Sequence, residues 1–266
     1  MHHASIRDMM KTKKEIVDNW LPRYTGTTLE NFGEFILLAN FTRYIELFAK
    51  WNNVPVMGKD KAMPSATAGK ITLINFGLGS PNAATIMDLL GAINPKATLF
   101  LGKCGGLKKK CRMGDMILPI AAIRGEGTSD DYFPERVPSL PAFNLQKVVS
   151  NNILNHRKTY WTGTVYTTNR RVWEYDEEFK DYLRKTRAIA IDMETATLFS
   201  VGFANEIPVG ALLLVSDQPM VARGIKTQES DRKVTEKYVE EHLKIGIDAM
   251  NDLINHKLKV KHLRFD

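Results

Sequence analysis

Val209–Gly210–Ala211–Leu212–Leu213–Leu214–Val215–Ser216–Asp217 is apolar up to its last two residues. A continuous apolar run of this length reads as a strand buried on both faces. Pro219 follows two residues later, so a loop rather than a helix is the expected sequel. An acid released at the end of such a strand is held rigidly and is partly desolvated. Desolvation raises a carboxyl pKa from its reference of about 3.9. A rise of roughly three units leaves Asp217 protonated often enough at neutral pH to serve as an acid.

Upstream, Ala188–Ile189–Ala190–Ile191–Asp192–Met193–Glu194–Thr195–Ala196 repeats the arrangement with two acids. In extended chain Asp192 and Glu194 face the same side. If a helix starts there instead, Asp192 caps it and Glu194 turns into the cleft. Two carboxylate oxygens then accept from two neighbouring hydroxyls, as a sugar diol offers, while a purine leaving group calls for a proton donor such as Asp217.

Further outward, strands and helices alternate. Phe35–Ala39, Ile71–Phe76, Ala97–Leu101, Met116–Ile123 (broken by Pro119), Thr159–Tyr166, Ala188–Ile191 and Val209–Val215 read as strands. Helices are expected at Thr12–Trp20 before Pro22, Thr42–Trp51, Asn82–Leu90, Leu145–Asn155, Glu177–Lys185, Glu194–Ala204 and Thr227–His256. Residues 124–141 are rich in loop formers. No repeat or linker divides the chain. The expected fold is α/β: a single three-layer α/β/α sandwich around a central mixed β-sheet, with ligands beyond the C-terminal strand ends. Residues 1–30 form an N-terminal helical extension in this reading, and residues 31–266 the catalytic domain.

The 266 residues can bury one large core. The 37 basic and 30 acidic side chains give a formal charge of +7, which suits an anionic ligand. Much of the excess lies in Lys108–Lys109–Lys110 and in Lys257, Lys259, Lys261 and Arg264, which read as solvated surface. No aromatic-basic module supports nucleic-acid binding. Cys104 and Cys111 make neither a disulfide framework nor a metal spacing. No metal or other cofactor is expected, and the compartment is expected to be reducing. The N-terminus is polar and no run is long and apolar enough for a bilayer, so the expected location is the cytoplasm, without membrane contact. His156, His242 and His256 read as ordinary surface or helix residues.

Four loops are candidates to hold a ligand. Gly77–Leu78–Gly79–Ser80–Pro81–Asn82 joins a strand to a helix, where Gly79 lets the backbone approach a ligand and the helix start offers free N–H groups. Gly102–Lys103–Cys104–Gly105–Gly106 reads as a second turn of this kind. Neither has the dinucleotide or Walker pattern. Asn40–Phe41–Thr42–Arg43 puts Arg43 at a strand-to-helix junction, where a guanidinium grips phosphate or is simply solvated. Tyr166 either stacks a base or fills the core. Arg170 and Arg171 follow it and suit a phosphate or an ordinary surface.

These segments together resemble the nucleoside phosphorylase/nucleosidase superfamily. The resemblance rests on Gly77–Leu78–Gly79–Ser80–Pro81, Gly102–Lys103–Cys104–Gly105–Gly106, Gly163–Thr164–Val165–Tyr166, Ile191–Asp192–Met193–Glu194–Thr195–Ala196 and Val215–Ser216–Asp217, in this order from about residue 30 onward. Tyr24–Thr25–Gly26–Thr27, Asn40–Phe41–Thr42–Arg43–Tyr44 and Thr164–Val165–Tyr166–Thr167–Thr168–Asn169–Arg170–Arg171 are most similar to its AMP-nucleosidase group. The resemblance implies hydrolysis of AMP to adenine and ribose 5-phosphate. It implies that Met193 and Glu194 hold the ribose, that Asp217 meets purine N7 and that Tyr166 stacks on the base. Gly79 and Arg43 line the site that phosphorylases use for inorganic phosphate. Where the phosphorylase pattern has Arg and Ser around the second glycine loop, this chain has Phe100 and Lys103, which favours water as the attacking group. Arg43, Lys103, Arg170 and Arg171 are the candidates for the 5′-phosphate, and Glu126 for orienting the water. The resemblance further implies an oligomer, a hexamer built from dimers. The alternative is a purine nucleoside phosphorylase using inorganic phosphate. A nucleosidase for thio-adenosyl nucleosides and a non-enzymatic nucleotide sensor are more distant readings.

Overall fold

The computed structural model describes residues 11–257. The polar first ten residues and Lys259, Lys261 and Arg264 of the basic C-terminal stretch lie outside the described residues. Eight strands form one mixed sheet: β1 Phe35–Ala39, β2 Ser65–Ala68, β3 Ile71–Asn75, β4 Ala97–Gly106, β5 Met116–Gly125, β6 Tyr160–Thr168, β7 Ala190–Asp192 and β8 Val209–Asp217. Their order is β2-β3-β1-β4-β7-β6-β5-β8. β8 also pairs in parallel with β4, so β4, β8, β5, β6 and β7 close into a ring. The helices are α1 Lys13–Thr25, α2 Thr42–Asn52, α3 Ser80–Leu89, α4 Phe143–Asn155, α5 Glu177–Thr186, α6 Thr195–Ala204 and α7 Gln228–Asn255.

Strand alternation builds the layers. Ile36 and Leu38 of β1 join a core with α1, α3 and α6, while Phe35, Leu37 and Ala39 join the opposite core with α2, α4 and α7. Helices therefore cover both faces of a mixed sheet, as the sequence predicts. β1, β3, β4 and β8 run parallel, so their C-terminal ends share one edge.

Three expectations are corrected. Gly102–Lys103–Cys104–Gly105–Gly106 is not a turn but the second half of β4. Its backbone pairs with β8 up to Gly105–Asp217 and with β7 through Gly105–Ile191 and Gly106–Ala190. The glycines serve packing: a Cβ on Gly105 would come within 3.1 Å of the Pro219 ring, and one on Gly106 within 3.1 Å of the Cys111 carbonyl. α1 passes through Pro22 and ends at Gly26, whose left-handed backbone (φ +73°) lets its N–H donate to the Pro22 carbonyl at 2.8 Å. His242 is fully buried rather than ordinary. Its Nε2 meets the Leu212 carbonyl at 3.0 Å and its Nδ1 the Tyr44 hydroxyl at 2.7 Å. A carbonyl only accepts, so Nε2 carries the proton and Tyr44 donates to Nδ1. Burial holds the His242 pKa down at about 4.

Candidate active site

A cavity of about 240 Å³ opens where these strands end, lined by the last residues of β4, β6, β7 and β8 and by the chain just beyond β1 and β3. Asp217 closes β8 on its wall. Its Oδ1 accepts from the Ser216 hydroxyl at 2.7 Å, and Lys226 Nζ stands 3.9 Å away. Burial pushes its carboxyl above the ordinary range, against the downward pull of Lys226, the Ser216 hydroxyl and Arg171.

Glu194 lines the same cavity. Its Oε1 accepts from the Gly79 N–H at 2.7 Å and its Oε2 from the Met193 N–H at 3.2 Å. Gly79 reaches it because the β3–α3 turn passes through positive φ at Gly77 and Gly79 (+82° and +90°). Ser80 Oγ ties the turn to the Met193 carbonyl at 2.6 Å. Asp192 is turned toward the start of α6: Oδ2 accepts from the Thr195 N–H at 2.8 Å and from the Thr195 hydroxyl, and Oδ1 from the Thr167 hydroxyl at 2.7 Å.

Burial raises both neighbouring carboxyls, and the charge of Asp192 raises Glu194 further. Their partners separate them. Both Glu194 oxygens face N–H groups, which cannot accept a proton. Asp192 faces hydroxyls, which can turn to accept one. The N–H donors favour the Glu194 anion, but burial and the Asp192 charge outweigh them and push its pKa up to about 8.

The profile of the phosphorylase superfamily matches residues 34–251 of this sequence. The chain belongs to the phosphorylase superfamily. A crystal structure of AMP nucleosidase from Bacteroides thetaiotaomicron is 58% identical, with a TM-score of 0.84 over 92% of this chain and 99% of that one. AMP nucleosidase of Escherichia coli is 31% identical over 278 residues, covering 87% of this chain; the match spans 57% of that protein's length. Purine nucleoside phosphorylase from Toxoplasma gondii, in complex with immucillin-H, is 18% identical with a TM-score of 0.76 over 86% of this chain and 95% of that one, a likeness of fold.

Within this phosphorylase-superfamily fold the residues selected from sequence divide into two groups. Asp217, Glu194, Met193, Lys103, Arg170 and Arg171 line the cavity together, and Gly79 supports Glu194 from behind. Arg170 is held by Asp176 at 2.8 Å and lies 5.0 Å over the Phe179 ring; Arg171 lies 3.6 Å from Glu174. The other three stand apart from the lining. Arg43 points outward on α2, 3.8 Å from Glu240, because the first turn of α2 carries it past the strand end. Tyr166 is packed edge-on against Phe179 and Tyr182, its hydroxyl end beside Gly125. Glu126 is buried as a loop clamp, accepting from the Thr197 hydroxyl at 2.7 Å and from the Ser129 and Gly127 N–H groups.

Among the lining residues that sequence reasoning missed are Asn40, Trp173, Lys226, Asp231 and Phe41. Asn40 and Phe41 lie in the same Asn40–Arg43 segment that the sequence singled out for Arg43. The Asn40 amide helps hold the Glu194 pKa down, and its own Oδ1 is buried with no hydrogen-bond partner among the described residues. Trp173 comes from an irregular segment and packs edge-on to Phe179 at 5.6 Å. Among the described residues no cluster of three or more His, Cys, Asp or Glu is placed to hold a metal ion, and no helix is long and apolar enough to cross a membrane.

Proposed function

We propose that this chain hydrolyses the N-glycosidic bond of AMP, releasing adenine and ribose 5-phosphate. The observation that carries the reading is one cavity lined by two buried carboxyls, Asp217 raised by burial and Glu194 held on both oxygens by backbone N–H groups. The relatives named AMP nucleosidase support AMP as the substrate.

As the bond to the base lengthens, positive charge grows on C1′ and the ring oxygen and negative charge on the purine. Asp217 hands its proton to N7 of the departing base. Glu194 accepts from the 2′ and 3′ hydroxyls and sets its negative field beside the developing cation. Interactions that strengthen as this charge separates are the ones that accelerate the step. Trp173, rather than Tyr166, is the aromatic wall for the base in this reading, since it is Trp173 that lines the cavity. Lys103, Arg170, Arg171 and Lys226 are the lining cations available to a phosphate.

Water is favoured over inorganic phosphate as the attacking group. Phe100 is fully buried edge-on against Phe76 at 5.7 Å and brings no cation to the cavity. Self-association, as a hexamer built from dimers, belongs to the same reading and is checked by mass in solution. The deciding experiment is chromatography of AMP incubated with the pure protein, with and without phosphate. Adenine and ribose 5-phosphate are expected in both, with no sugar 1-phosphate formed when phosphate is present. Cleavage that requires phosphate and yields a sugar 1-phosphate would instead establish a phosphorylase.

A further inference from the structure

Lys103, Lys226 and Asp231 form a charged cluster beside the two acids. Only 3% of the Lys103 side chain is exposed. A buried ammonium needs a counter-charge. Asp231 Oδ1 supplies it at 3.0 Å, with the Thr235 hydroxyl at 2.8 Å and the face of Phe41 at 4.5 Å completing the surroundings of Nζ. The same Asp231 oxygen lies 3.7 Å from Lys226 Nζ, and Lys226 in turn stands 3.9 Å from Asp217. One carboxylate oxygen thus sits between two ammonium groups, and all of these residues but Thr235 line the cavity.

The two sides of this contact differ in mobility. Lys103 is fixed in β4, deep in the sheet. Asp231 belongs to the first turn of α7 and its side chain is 36% exposed, so it can swing into water at small cost. A carboxylate brings one negative charge to the two lysines. A phosphate dianion would bring two, with three oxygens to share between the ammonium groups.

We propose that Lys103 and Lys226 form the phosphate subsite of this cavity, and that Asp231 occupies it in the ligand-free protein and is displaced when a phosphate dianion binds. The proposal rests on the nucleotide reading above and narrows it. The dianion is either the nucleotide's own phosphate or free inorganic phosphate.

The test is thermal unfolding and calorimetric titration with inorganic phosphate at constant ionic strength, on the full chain and its Asp231→Asn, Lys103→Met and Lys226→Ala variants. Asp231→Asn is expected to unfold below wild type without phosphate, because Lys103 loses its partner, and to recover when phosphate is added. It should bind phosphate about tenfold more tightly or better, since no carboxylate competes. Lys103→Met should lose the phosphate response and Lys226→Ala should weaken it. Competition between phosphate and AMP would assign the subsite to the nucleotide's own phosphate, and simultaneous binding would assign it to the free ion. Phosphate binding to Asp231→Asn no tighter than to wild type, or an unchanged response in Lys103→Met, would overturn the proposal. These readouts need no turnover. Lysine-dependent phosphate binding without AMP cleavage would sink the functional reading alone. AMP cleavage without lysine-dependent phosphate binding would sink the subsite alone.

Discussion

Three carboxyls stand within a few residues of the cavity, and their immediate partners give each a different task. Asp217 is buried with a single hydroxyl donor and a distant lysine, so its acid form is favoured. Glu194 is bound on both oxygens by backbone N–H groups, which fix its orientation. Asp192 accepts from the Thr167 hydroxyl and the N–H of Thr195, and so ties the start of α6 to β6. Amide substitution separates these roles because it preserves shape. Asp217→Asn should lose about 10²-fold or more in turnover, the typical worth of one acid contact, with an unchanged unfolding midpoint. Asp192→Asn keeps an acceptor for Thr195 and a donor for Thr167, and should retain most activity. Steady-state kinetics on AMP checks both, and a larger loss in Asp192→Asn than in Asp217→Asn would reverse the assignment. The wild-type rate should fall as pH rises through the raised pKa of Asp217, because the acid form is the working one. That alkaline limb should vanish in Asp217→Asn.

The turn between β3 and α3 shows how an element positions a side chain it does not contain. Gly79 adopts φ +90° and ψ 160°, a region nearly closed to other residues, at a cost of roughly 1–3 kcal/mol. A Cβ there would meet only the Pro81 ring, at 3.9 Å, so there is space for one. Gly79→Ala therefore acts through the backbone alone. Relief of the strain turns the N–H away from Glu194, and KM for AMP should rise more than turnover falls, with a modest drop in unfolding temperature. An unchanged KM would show that this hydrogen bond does not orient the carboxylate. The turn was legible in the sequence because glycine at a strand end has few other uses, and the acids were legible because each ends an apolar run. The β4 glycines misled, since their reason is the approach of Pro219, Ile191 and Cys111 from distant parts of the chain. Tyr166 and Glu126 misled for a related cause: a strand end fixes where a residue stands, but the neighbours brought by α5 and α6 decide where its side chain goes. Only the fold brings Lys103 against Asp231, which lies 128 residues further along the chain.

Across the whole molecule, the cavity is framed by chain segments far apart in sequence, and α7 governs how they are held. Its first turn supplies Asp231 to the cavity, and its middle packs beside α4 on the opposite side of the sheet from α3 and α6. His156, just past α4, clasps α7 there. Its Nδ1 lies 2.9 Å from Glu241 and its Nε2 2.8 Å from Asp248. With a carboxylate on each ring nitrogen, both nitrogens must donate, so the clasp requires the imidazolium. Burial lowers the His156 pKa, but the two carboxylates outweigh it and hold it above the ordinary value. A folded-state pKa raised above the unfolded one adds stability that is complete below the unfolded pKa of about 6.5 and fades as pH climbs through the folded value. The carboxylates are partly exposed, so solvent screening keeps the gain to about 1 kcal/mol or less. Thermal unfolding of wild type and His156→Gln across pH 5 to 9, at fixed ionic strength, measures it. The gap between the two should be widest at the acid end and should narrow toward the alkaline end. A gap that stays constant with pH would mean that His156 contributes by packing alone, and that charge plays no part in fastening α7 to α4.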